Sequence, residues 1–175
     1  GSLMKLDEIT KAFDLDKVQT YPIDKWNPPL SGDIDIRITK VGRWIHEGGE
    51  IKRKTLVRLF ASLVKQEGDE FFLVTPVEKW KITVEDTALH VISLVGESET
   101  GVGAVLSNGQ VELLDGDSEI ALTKLDGNDI PVITTAQGLP ARFLRSAYYQ
   151  LLEMGELTES GFSMRSGQNL IAFPL

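Results

Sequence analysis

Two segments of this chain place arginines where an α-helix is predicted to begin. In the first, a glycine pair precedes an amphipathic run over residues 50–60, and Arg53 lies in its first turn. In the second, Gly138 precedes a similar run that contains Arg142 and Arg145. The two segments align when Arg53 is set on Arg142 (142 − 53 = 89). Because each run follows a β-rich stretch, we interpret them as two copies of one strand–turn–helix unit.

Basic residues are unexpected at a helix start. The partial positive charge of a helix N-terminus disfavours a cation there by about 0.3–1 kcal/mol. Two explanations are open: the arginines pair with carboxylates elsewhere in the chain, or they join the helix N–H groups in binding a phosphate. Helical spacing puts Arg53 on the same face as Leu56 and Phe60, so its guanidinium is expected to face inward and to need a partner. Arg53, Arg142 and Arg145 are therefore the strongest candidates for ligand-binding residues.

Four further residues could complete a site around such an anion. His46 lies just before the glycine turn, where it could reach the anion or simply bond Glu47 at the end of a strand. Trp44 either packs in the core or supplies a flat wall. Thr75 would donate a hydrogen bond from its hydroxyl. Glu78 would orient an arginine or a sugar hydroxyl, or pair with a core arginine.

Composition excludes several classes of function. The 175 residues carry a net charge of −8, which disfavours binding to a nucleic-acid polymer or an anionic membrane. Cysteine is absent, and the two histidines lack metal-ligand spacing, so neither a disulfide framework nor a metal site is expected. Nucleophile-elbow and phosphate-loop motifs are also absent, so we predict no catalytic residue and no cofactor. No apolar run approaches the roughly 20 residues of a membrane span, and we expect a cytoplasmic protein.

Hydrophobic periodicity predicts an α+β fold. Apolar and polar residues alternate over 34–38 and 79–84, which is typical of half-buried strands. Asn108–Gly109 is a strong hairpin-turn signal. Together with the repeat, this pattern predicts two similar subdomains: residues 1–86, which include a leading helix, and residues 87–175.

Several short motifs carry a resemblance to a known family. They are Trp26-x-Pro28, Gly32 to Ile38, Gly42-x-Trp44-x-His46, Thr75 to Lys79 and, less tightly, Gly138 to Arg142. The chain resembles the bacterial family called domain of unknown function 1285 over nearly its whole length beyond Tyr21.

The resemblance implies a domain duplication in which the second domain is superficially similar to a pleckstrin-homology-like fold. It also implies a nucleotide-like ligand at the inter-domain cleft and a role in signal transduction, with no established enzyme activity. We therefore expect a non-catalytic binding module for a small anionic or nucleotide-like ligand, with a protein partner in signalling. The alternatives are a protein-interaction scaffold with structural buried arginines and no small ligand, and an enzyme that uses His46 and Glu78 as acid and base.

Overall fold

The computed structural model describes the backbone of residues 2–175 and the side chains of residues 6–175. In this part of the chain the helices are α1 (Ser2–Lys11), α2 (Lys54–Ser62) and α3 (Arg145–Glu153), with a 3₁₀ turn at Ile23–Lys25. None of these helices is long and apolar enough to cross a membrane.

The chain divides into two compact units, which are described separately. The first unit comprises residues 1–88 together with 107–110, and the second comprises residues 89–106 and 111–175. The strands of the first unit are β1 (Gly32–Ile38), β2 (Trp44–His46), β3 (Gly49–Glu50), β4 (Val64–Glu67), β5 (Glu70–Val74) and β6 (Lys79–Val84). The strands of the second unit are β7 (Leu89–Glu97), β8 (Gly101–Leu106), β9 (Val111–Leu113), β10 (Ile120–Leu125), β11 (Asn128–Thr134), β12 (Pro140–Phe143), β13 (Gly155–Thr158), β14 (Gly161–Ser166) and β15 (Asn169–Phe173).

The first unit contains one six-stranded sheet in the order β3-β2-β1-β6-β5-β4. The central pair β1–β6 is parallel and its other pairs are antiparallel. Along β1 the isoleucines Ile34, Ile36 and Ile38 are buried and the residues between them are exposed, as the sequence alternation predicts. Helix α2 adds Phe60 to this core, where its ring lies 6.2 Å from that of Trp44.

The second unit contains a six-stranded sheet in the order β10-β11-β12-β7-β8-β9 and a separate three-stranded sheet in the order β13-β14-β15. In the larger sheet the central pair β12–β7 is parallel and the other pairs are antiparallel. The two sheets are joined by the buried hydroxyl of Ser166. Its Oγ accepts a hydrogen bond from the Val102 N–H (2.9 Å) and donates one to the Leu114 carbonyl (2.6 Å).

The two units share a helix followed by a three-stranded antiparallel meander. This element is α2–β4–β5–β6 in the first unit and α3–β13–β14–β15 in the second. The helices begin 91 residues apart (145 − 54 = 91), and so do the strands that follow them (155 − 64 = 91). The prediction of two similar α+β subdomains is confirmed. In the first unit the meander joins the larger sheet through β6, whereas in the second it forms its own sheet.

Ser166→Ala is expected to destabilise the second unit. The substitution leaves the buried Val102 N–H and Leu114 carbonyl without the hydroxyl partner, at a cost of about 1–3 kcal/mol for each buried group. Urea unfolding should show a loss of about 2–4 kcal/mol. Ser163→Ala, on the same strand, serves as the control and should change stability by less than about 0.5 kcal/mol. Equal effects of the two substitutions would contradict the bridging role of Ser166.

Candidate functional site

The three predicted arginines lie in three different environments. Arg53 is the exposed residue just before α2, in an extended conformation. Arg142 lies in strand β12 and is only 4% exposed. Arg145 is the exposed first residue of α3. The structural repeat therefore pairs Arg145 with Lys54. Its offset is 91 residues, whereas the sequence alignment used 89.

Two predictions about these arginines are wrong. Arg142 does not lie in the first turn of a helix, because β12 continues through Phe143 before α3 begins. Arg53 does not face inward with Phe60, because the helix starts only at Lys54 and a residue outside it does not follow the helical rotation. The helix start of the second unit thus carries one arginine, Arg145.

Arg142 has a structural role inside the second unit. Its Nη1 donates to the Thr123 carbonyl (3.0 Å), to the Thr123 hydroxyl (2.7 Å) and to the Ile130 carbonyl (2.7 Å). Thr123 is in β10 and Ile130 is in β11, so one guanidinium on β12 ties the adjacent strand β11 and the strand beyond it, β10. Its strand neighbour in register on β7 is His90, which is also buried. This buried arginine serves the fold rather than a ligand.

Two of the remaining candidates, Trp44 and Thr75, are buried in the first unit. Trp44 is 1% exposed and packs against Phe60, so its predicted role as a flat wall for a ligand is wrong. Thr75 is buried, and its hydroxyl oxygen accepts hydrogen bonds from the N–H groups of Val77 (3.2 Å) and Glu78 (2.9 Å). Thr75 and Glu78 thereby close the turn between β5 and β6.

His46 ends strand β2, where it pairs with Ile36 of β1 and Gly49 of β3. Its ring is partly buried. Within the part of the chain that the structure describes, no hydrogen bond reaches its Nε2. Glu47 follows with a φ of 51°, which turns the chain sharply after the strand.

Arg145 lines a cleft within its own unit. The cleft has a volume of about 190 Å³ and is lined by Asn128, Asp129, Ile130, Arg145, Tyr148 and Tyr149. Its first wall is the start of β11, which follows a two-residue turn at Asp126–Gly127 where both residues have positive φ. Its second wall is the first turn of α3, where the spacing i, i+3, i+4 places Arg145 and the two tyrosines on one face.

The cleft combines a cation, a carboxylate and phenol groups. Among residues 6–175, no hydrogen bond or ion pair involves the guanidinium of Arg145. Asp129 faces Lys124 at 3.5 Å, in a pair exposed enough for water and salt to weaken it. Burial raises the pKa of Tyr148, and the negative charge of Asp129 raises it further. The tyrosine hydroxyl is therefore protonated at neutral pH and can donate a hydrogen bond.

Sequence reasoning missed most of this cleft. Of the residues that line it, the sequence pattern indicated only Arg145. Two sequence features could have indicated it: the i, i+3, i+4 spacing of Arg145, Tyr148 and Tyr149, and the hairpin turn at Asp126–Gly127. Among the described side chains, no three His, Asp or Glu residues form a group that could hold a metal ion. The chemistry that this lining supports is the binding of a small polar group.

The fold and the cleft together define a class of protein: a duplicated α+β chain whose second unit carries a small polar pocket at the start of its helix. Residues 21–87 match the family model described as domain of unknown function (DUF1285), N-terminal domain. Among curated proteins, no sequence matches the chain.

Two solved structures extend this match. A DUF1285 family protein from Silicibacter pomeroyi DSS-3 is 31% identical, with a TM-score of 0.78 over 97% of this chain and 93% of that chain. A DUF1285 family protein from Shewanella baltica OS155 is 25% identical, with a TM-score of 0.53 over 67% of this chain and 90% of that chain. The chain belongs to the DUF1285 family, and the resemblance inferred from its motifs is confirmed.

Arg142 and Arg145 should respond differently to the same substitution. Arg142→Met removes hydrogen bonds from a buried cation to acceptors on two strands, and it should cost about 2–4 kcal/mol. Arg145→Met removes an exposed guanidinium and should change stability by less than about 0.5 kcal/mol. Urea unfolding of both variants measures the difference. A loss for Arg145→Met as large as that for Arg142→Met would contradict these assignments.

Asp129→Asn should lower the pKa of Tyr148 without returning it to the ordinary value of 10.0, because burial is the larger cause of the shift. The folded state holds this proton more tightly than the unfolded state. Its contribution to stability is therefore complete below pH about 10 and is lost as the pH rises further. NMR titration of the Tyr148 ring carbon bearing the hydroxyl checks the shift, with Tyr149 as the internal comparison. An unchanged Tyr148 titration in the variant would refute the contact with Asp129.

Proposed function

We propose that this protein is a non-catalytic binding module that holds a small phosphorylated, nucleotide-like ligand in the cleft of its second unit. The observation that carries the proposal is the guanidinium of Arg145, which has no partner among the described side chains and lines that cleft. Guanidinium groups bind phosphate through paired, charge-assisted hydrogen bonds. The residue before α3, Leu144, offers no side-chain cap, so the first N–H groups of the helix can join Arg145 in binding an anion.

The size of the cleft bears on which part of a ligand it encloses. Pockets for drug-sized molecules measure about 300–1,000 Å³. A cleft of about 190 Å³ therefore encloses the phosphoryl end and the atoms next to it. The ring of Tyr149, which is 54% exposed, offers a flat surface for the remainder. In a signalling role, a protein partner would respond to the occupied cleft.

A protein-interaction scaffold without a small ligand is the second candidate. This function assumes a buried, structural arginine, and Arg142 has that environment. A separate observation also supports it: Val95 on β7 and Val111 and Leu113 on β9, the two strands on either side of β8, are 45–59% exposed. Val95 and Val111 flank Gly103 on β8, and Leu113 is its partner on β9, which makes an apolar surface around a glycine. Exposed apolar patches of this kind mark protein contacts.

Arg145→Met tests the ligand proposal against a matched control. Wild-type protein should bind adenosine 5′-monophosphate and inorganic phosphate by calorimetry, and the NMR signal of the Arg145 Nε–H should shift. Arg145→Met should weaken binding at least about tenfold, the equivalent of about 1.4 kcal/mol. Arg165→Met, an exposed arginine on β14, removes the same charge outside the cleft and should leave binding unchanged.

Absence of binding to wild-type protein would reject the ligand proposal and leave the scaffold. Equal losses in Arg145→Met and Arg165→Met would show only a response to overall charge, and they would reject the cleft as the site.

A further inference from the structure

The cleft at the start of α3 presents opposite charges that do not pair with one another. Arg145 and Asp129 both line it. No ion pair joins them within the part of the chain that the structure describes, so their charged atoms lie more than 4.0 Å apart. The partner of Asp129 is Lys124, whose side chain is 72% exposed and lies on the neighbouring strand β10. A ligand in the cleft therefore meets a cation on the helix wall and an anion on the strand wall.

Each wall selects a different ligand group. Arg145 and the tyrosine hydroxyls donate hydrogen bonds, so this side accepts an anion. Asp129 accepts hydrogen bonds and carries a negative charge, so its side accepts a donor or a cation. Tyrosine rings line the same cleft, and aromatic rings attract cations, which favours an ammonium group over a neutral hydroxyl. A purely anionic ligand would satisfy Arg145 but would be repelled by Asp129.

The volume limits the distance between the two ligand groups. A cleft of about 190 Å³ corresponds to about six water molecules at about 30 Å³ each. That space holds a phosphoryl group and an ammonium group separated by a short linker. It does not enclose a phosphoryl group together with a complete sugar and base.

We infer that the cleft takes a small phosphorylated zwitterion, with a phosphate ester at Arg145 and an ammonium group at Asp129. This inference rests on the phosphate site of the proposed function, and it replaces the nucleotide-like remainder of that ligand with a short amine. The phosphoethanolamine group has this chemistry, either as a free molecule or as the headgroup of a lipid. A surface of zwitterionic lipid carries no net charge and does not oppose a chain of net charge −8.

Calorimetry with O-phosphoethanolamine and ethyl phosphate tests the inference, because the two probes differ in the amine. Wild-type protein should bind O-phosphoethanolamine at least about tenfold more tightly. Asp129→Asn should abolish that preference while leaving the affinity for ethyl phosphate unchanged or higher, since it removes a negative charge near the phosphate. Arg145→Met should weaken the binding of both probes. Asp117→Asn, an exposed aspartate outside the cleft, should behave as wild type.

Failure of the inference and failure of the proposed function give different results. If both probes bind equally and Asp129→Asn changes neither affinity, the zwitterion is overturned and the phosphate site stands. If neither probe binds, the zwitterion is overturned; the proposed function is overturned with it when adenosine 5′-monophosphate and inorganic phosphate also fail to bind.

Sedimentation with vesicles distinguishes the two sources of the group. Vesicles of phosphatidylcholine alone are compared with vesicles that also contain phosphatidylethanolamine. Retention that requires phosphatidylethanolamine and is lost in Asp129→Asn identifies the lipid headgroup. Binding of free O-phosphoethanolamine without such retention identifies the free molecule.

Discussion

The second unit depends on one buried cation. The guanidinium of Arg142, on β12, bonds the backbone of β10 and β11 from a single nitrogen. Those two strands form the hairpin whose end supplies Asp129, and β12 leads directly into the helix that supplies Arg145. Arg142 therefore fixes the distance between the walls of the cleft although it does not line the cleft. A buried guanidinium is costly unless its donors are satisfied, so the strands it joins are held in one arrangement.

The distribution of roles among the arginines reflects their solvent exposure. Arg53 and Arg145 stand at equivalent helix starts, shifted by one position, and both are exposed. Their unfavourable interaction with the helix dipole is small because water screens it. The scaffold alternative assumes that the arginines are buried and structural, and among these three Arg142 alone fits that description. The unusual sign of the charge at both helix starts is therefore a surface property, and at Arg145 it stands beside a cleft that also contains a carboxylate.

Much of the fold could be predicted from local patterns. Alternation predicted the strands at 34–38 and 79–84, and the duplication was visible as two glycine-led helices. The register of that duplication could not be found in the same way. Arg142 and Arg145 are three residues apart and look alike in sequence, yet one continues a strand and the other begins a helix. The oxygen atoms that hold Arg142 in its strand lie on β10 and β11, outside the local sequence of β12. The cleft was missed for the same reason, because Asp129 meets Tyr148 only through tertiary packing.

The turn at Asp126–Gly127 determines on which face of β11 Asp129 lies. It joins β10 to β11 with two residues and fixes the pairing of Leu125 with Asn128. Side chains alternate between the faces of a strand, so a single inserted residue that shifted this pairing would carry Asp129 to the opposite face. The carboxylate would leave the cleft while Arg145, on a separate helix, stayed in place. Because the same slip would turn the buried Ile130 outward and displace the carbonyl that Arg142 bonds, the two-residue turn holds Asp129 and the core of β11 in one register.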